Sequence, residues 1–105
     1  MAPGSAFYTL ARWQARPGEE EAFVQAWEDM AKAFVALPKP PSGAGTLVRS
    51  LRDPSVFYSF GPWDDLKAIE DMRADPTAQA AMQALTALCV EASPGAYEVV
   101  RRAGG

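Results

Sequence analysis

The chain has 105 residues, 49% of them hydrophobic and 22% charged, with a net charge of -3 and a pI near 4.8. That balance suits one folded domain with a modest core and excludes a disordered chain. No basic stripe is interleaved with aromatics, so nucleic-acid binding is not expected. No apolar run approaches the roughly 20 residues a membrane helix needs, so no membrane association is expected either.

The residue types that are missing narrow the chemistry further. There is no His and no Asn, and Cys89 is the single cysteine. His-based triads, zinc or haem ligation by His, and Cys-based metal clusters have no residues to build them. No metal, no cofactor and no disulfide within the chain are expected. Met1–Ser5 lacks the basic start and apolar run of a signal peptide, which makes a cytoplasmic protein the expectation. A single domain over 1–105 is expected, with 1–5 and 103–105 as mobile tails.

In chain order, Phe7–Arg16 alternates as a strand. Phe7, Thr9, Ala11, Trp13 and Ala15 share its drier face, and Tyr8, Leu10, Arg12 and Gln14 share the other. Pro17-Gly18 ends the strand, and Glu19-Glu20-Glu21 then suits a first helical turn. Phe23, Trp27, Met30, Phe34 and Leu37 recur in steps of four and three, the stripe of an amphipathic helix of about five turns. Leu37–Gly45, rich in Pro and Gly, is a connector or lid. Thr46–Arg52 is predicted as a second strand, Asp53-Pro54-Ser55 as a tight turn, and Val56–Phe60 as the returning strand of a hairpin. The stretch Val56–Trp63 holds four aromatics in eight residues, with Gly61-Pro62 as a stop before Trp63. Asp64 or Asp65 caps a short helix that turns Leu66, Ile69 and Met72 inward. Asp75-Pro76 starts another, with Ala78, Met82, Leu85, Leu88 and Cys89 on one stripe, so that Cys89 is a small core residue on a helix. Ser93-Pro94-Gly95 ends that helix, and Ala96–Arg102 is predicted as the last strand.

This order of elements is β-α-β-β-α-β with the second helix split. It predicts an α+β, ferredoxin-like fold: a four-stranded antiparallel sheet with helices on one face. The other face is also apolar, through Tyr8, Leu10 and Tyr58. A homodimer packed sheet to sheet through that open face would cover it.

The chain also resembles the antibiotic biosynthesis monooxygenase-like (ABM) family of the dimeric α/β-barrel superfamily. The resemblance covers roughly residues 6–102. It rests on a first strand ending in Pro17-Gly18, then Phe23 and Trp27 in a Glu-led helix, and a strand pair around Asp53-Pro54. Trp63-Asp64-Asp65-Leu66 with Ile69, the Asp75-Pro76 helix and the closing Tyr97-Glu98-Val99-Val100 complete it. The resemblance implies a barrel closed across a dimer, and in each subunit a pocket between sheet and helices for a small apolar or aromatic ligand. Ala11, Trp13, Phe23, Trp27, Trp63, Met72 and Met82 are the residues expected to line it. Relatives include cofactor-free oxygenases acting on polycyclic phenols and quinols, and enzymes that break down haem. The haem-degrading branch uses an Asn, a Trp and a His at positions that here correspond to Ala11, Met72 and Met82, so haem degradation is not expected.

A cofactor-free oxygenase needs a base to make an electron-rich substrate anion and groups to hold that anion. Arg12, Tyr58 and Arg73 are the catalytic candidates. Tyr8, Tyr97 and the indoles of Trp13 and Trp63 could orient a substrate, with Glu70 or Asp65 as base. The function expected is that of a small dimeric protein like the cofactor-free monooxygenases of aromatic or quinol-type metabolites. The alternative is a non-catalytic ligand-binding or dimerisation module of the same fold.

Overall fold

In the computed structural model, which describes residues 6–104, the chain forms β1 (Phe7–Ala15), α1 (Glu20–Val35), β2 (Thr46–Arg49), β3 (Val56–Trp63), α2 (Leu66–Ala74), α3 (Pro76–Thr86) and β4 (Cys89–Glu98). The strands pair antiparallel in the order β2-β3-β1-β4. The ferredoxin-like α+β fold expected from the element order is therefore the one observed. The tails expected at 1–5 and at 105 lie outside the described residues, while 101–104 carry no regular structure and are exposed. Among the described residues, no helix is long and apolar enough to cross a membrane.

Local chemistry explains where the elements begin. Gly18 adopts φ +85°, a left-handed turn that glycine takes without steric cost, and its N–H donates to Glu20 Oε1 at 2.9 Å. The backbone thus reverses from β1 into α1 within a few residues. Asp65, rather than Asp64, caps α2 by accepting from the Ala68 N–H at 2.8 Å. Asp75 does the same for α3, accepting from Ala78 N–H at 2.9 Å with Pro76 at the first helical position.

Inward-facing residues build two apolar clusters under the helices. One joins Trp13, Phe23, Met30, Phe57, Leu85 and Cys89 to Ala11 and Ala15. The other joins Trp63, Ala68, Ile69, Met72 and Ala78. Phe34 and Met82 pack against both.

Two strand ends in the middle of the chain differ from the sequence expectation. The second strand stops at Arg49 rather than Arg52. Ser50 Oγ accepts from the N–H groups of both Arg52 and Asp53 at 3.1 Å, and Asp53 Oδ1 accepts from Ser55 N–H at 3.0 Å. These side-chain bonds wind Ser50–Ser55 into a turn before the ladder can extend. The third strand runs past Phe60 through Gly61-Pro62 to Trp63. β2 reaches only to the Thr46–Phe60 pair, so Pro62 faces no neighbouring strand on that side and its missing N–H breaks no ladder bond.

The largest correction concerns the end of the chain. The last helix stops at Thr86 instead of continuing to the Ser93-Pro94-Gly95 stop, and the last strand is Cys89–Glu98 rather than Ala96–Arg102. It pairs with the whole of β1, from Phe7–Glu98 to Ala15–Cys89, with a bulge at Gln14/Ala15. Ser93-Pro94-Gly95, read as a breaker, lies inside this strand. β4 is an edge strand, where a proline is tolerated. Cys89 remains a buried core residue, now on a strand.

Candidate functional site

Pairing aligns small side chains at the centre of the helix-facing side of the sheet. Ala11 of β1 lies opposite Ser59 of β3 and Pro94 of β4, and Thr9 lies opposite Gly61 and Ala96. Bulky residues stand at the two ends, Trp13 opposite Phe57 and Phe7 opposite Trp63. The helices therefore rest on the ends and leave the middle unfilled. The result is a cavity of about 400 Å³ between the two apolar clusters. Thr9, Ala11, Ser59 and Gly61 form its floor, Trp13 and Trp63 its ends, and Trp27, Met30, Phe34, Met72, Arg73 and Met82 its helical walls.

The Pro41–Gly45 stretch closes one side of the cavity. Ser42 N–H donates to Pro62 O at 3.0 Å, which ties the loop to β3. Gly45 lies against the ring of Trp27 and against Gly61, close enough that a Cβ on Gly61 would stand 3.4 Å from the Gly45 Cα. Two glycines thus let the loop descend onto the floor.

Polar groups in this cavity are few and held in pairs. Trp13 Nε1 donates to Ser59 Oγ at 2.9 Å, and Trp63 Nε1 donates to Thr9 Oγ1 at 3.0 Å. Each hydroxyl, having accepted from an indole, keeps its own hydrogen to donate elsewhere. Trp27 Nε1 is buried and has no hydrogen-bond partner among the described residues. Arg73, in the last turn of α2, is the one charged residue in the lining among the described residues. It is exposed, at the rim, and no ion pair to its guanidinium is present among the described residues.

The structure places the sequence candidates in three locations. Ala11, Trp13, Trp27, Trp63, Met72, Met82 and Arg73 line the cavity. Phe23 does not: it is fully buried in the core, its ring 5.8 Å from that of Trp13 and 4.7 Å from that of Phe57. Arg12 and Tyr58 are register partners on the opposite face of the sheet, and Arg12 Nη1 is bound to Glu91 Oε1 at 2.6 Å. Tyr8 and Tyr97, also register partners, share that face. Of the two proposed bases, Asp65 is occupied as the α2 cap and Glu70 is exposed outside the lining. Cys89 is not among the lining residues; burial pushes its thiol above the usual range, with Arg16 acting weakly in the other direction. Ser59 and Thr9 were absent from the sequence candidates, and Met30 and Phe34 stood there only as members of the α1 stripe. Ser59 carried a signal: it is a small polar residue on the dry face of a strand otherwise rich in aromatics.

No family model matches the chain, and no curated protein matches it in sequence. Solved structures do match. SnoaB, a cofactor-independent oxygenase from Streptomyces nogalater, superposes with a TM-score of 0.80 at 19% identity, over 93% of this chain and 96% of that one. The fold is that of the antibiotic biosynthesis monooxygenases. A Deinococcus radiodurans protein assigned to that family matches with a TM-score of 0.77 at 20% identity, over 93% of this chain and 96% of the other. A conserved protein from Methanosarcina mazei Go1 matches equally in fold, with a TM-score of 0.77 at 12% identity, over 90% and 93% of the two chains. The ABM fold thus spans nearly the whole chain, and its sheet-and-helix sandwich is what encloses the cavity described above.

Proposed function

We propose that this protein is a small oxygenase of the ABM type that binds an aromatic or quinol-type metabolite in the cavity between sheet and helices. The observation that carries this reading is the cavity itself. It has room for a fused ring system, walls of Trp, Phe and Met, and only a few polar groups to orient a ligand. Its occurrence in a fold shared with a cofactor-independent oxygenase supports the reaction class. In such a reaction the electrons come from the substrate: an activated ring CH2 and O2 give a ring C=O and H2O.

A homodimer belongs to the same proposal. On the face away from the helices Leu10, Val48, Tyr58, Phe60 and Tyr97 are 38 to 54% exposed, an apolar surface that a second copy of the chain would cover. The expected setting is the cytoplasm.

The test is oxygen consumption with a panel of polycyclic quinols and anthrones. Uptake above the autoxidation background, abolished by Ala11→Phe, is the expected result; background rates across the panel would overturn the oxygenase reading. One observation favours the alternative, a non-catalytic binding module: no carboxylate lines the cavity among the described residues. In that case ligands raise the melting temperature without turnover.

A further inference from the structure

The cavity has a cation at its rim and, among the described residues, no carboxylate or thiol base in its lining. Among the described residues its lining holds no Asp, Glu or Cys, and the chain has no His. Ser59 and Thr9 offer neutral hydroxyls already engaged by indoles, and neutral hydroxyls do not remove a proton at neutral pH. Arg73 brings a permanent positive charge to the rim, and no carboxylate within ion-pair distance neutralises it among the described residues. We infer that the cavity selects ring systems that are already ionised: acidic hydroxy-aromatics or hydroxyquinones, bound as the oxyanion with the charged oxygen at Arg73 and the apolar rings among Trp13, Trp27 and Trp63.

This inference rests on the reading of the cavity as the aromatic-binding site. It replaces the missing base with the ligand's own acidity. A guanidinium at the rim adds to this, because a nearby positive charge favours the ionised form of a phenol. A purely structural role for Arg73 is the competing account. It lies in the last turn of α2, where a cation complements the helix dipole, and its carbonyl accepts from Gln79 Nε2 at 2.6 Å. That role predicts an effect on stability and none on ligand charge preference.

Calorimetric titration at neutral pH separates the two. The probes are 2-hydroxy-1,4-naphthoquinone, which is ionised, and its neutral 2-methoxy ether. Wild-type protein is expected to bind the anion about tenfold more tightly, as a charge-assisted hydrogen bond at a partly solvated rim allows. Arg73→Gln is expected to erase that preference while keeping the affinity for the ether, and Arg73→Lys to restore part of it. An equal affinity of wild type for the two probes, a preference that survives Arg73→Gln, or no binding of either probe overturns the inference. Oxygen uptake measured alongside keeps the two proposals apart. Charge preference without turnover of any quinol sinks only the oxygenase reading, and turnover without charge preference sinks only this one.

Discussion

Trp13 Nε1 donates to Ser59 Oγ at 2.9 Å across the β1–β3 pair, and both residues are buried. The bond fixes the indole against the end of the cavity and turns the serine into the best-protected polar group of its floor. Ser59→Ala removes the acceptor and leaves a buried N–H unpaired, which costs about 1–3 kcal/mol. Urea denaturation is expected to show that loss with an unchanged m-value. Threonine at 59 keeps an acceptor and is expected to lose less. A Ser59→Ala variant as stable as the wild type would show that the indole finds another partner.

Ala11 stands at the middle of the floor, and its methyl group is all that occupies its position. Ala11→Phe is expected to fill the cavity and block ligand binding while leaving the melting temperature unchanged or a few degrees higher, as cavity filling commonly does. All three tryptophans of the chain line the cavity, so intrinsic fluorescence reports both filling and ligand entry. A loss of stability of several kcal/mol would mean that the space is not available to a ring.

Tyr58 lies opposite Arg12 near the centre of the open sheet face. A lysine there would place a second cation beside Arg12 and, in a dimer, bury it without a partner. Light scattering is expected to give about twice 11.3 kDa for the wild type and 11.3 kDa for Tyr58→Lys, with the far-UV spectrum retained. A monomeric wild type at micromolar concentration would overturn the proposed dimer.

Glu20 ties the start of α1 to the β2–β3 turn. Ser55 Oγ donates to its Oε2 at 2.8 Å, and this bond is the main cause that holds the carboxyl below its ordinary value of 4.5. Because the folded value is depressed, the bond contributes stability above pH 4.5, which is lost as the pH falls through the folded value. Ser55→Ala is therefore expected to flatten the fall in melting temperature below pH 4.5. Identical acid profiles for the variant and the wild type would show that the bond carries no linkage.

The sequence by itself determined the order of elements, the stripe Phe23–Trp27–Met30–Phe34 on α1, the Asp-led helix starts, and which face of β1 is dry. These are local signals: a period of 3.6 or 2, a carboxylate that reaches a free N–H, a glycine or proline at a turn. It misplaced the last strand, because Ser93-Pro94-Gly95 stops an isolated segment and only an edge position beside β1 makes it tolerable. The cavity was likewise beyond local reading. Thr9, Gly61 and Pro94 are unremarkable in sequence, and with Ala11 and Ser59 they become a floor only when two registers set them side by side. The same pairing sends Arg12 and Tyr58 to the far face, while α2 brings Arg73 to the cavity rim. Tertiary structure decided this because a strand presents alternate faces, and which residues meet on a face depends on partners far away in the chain.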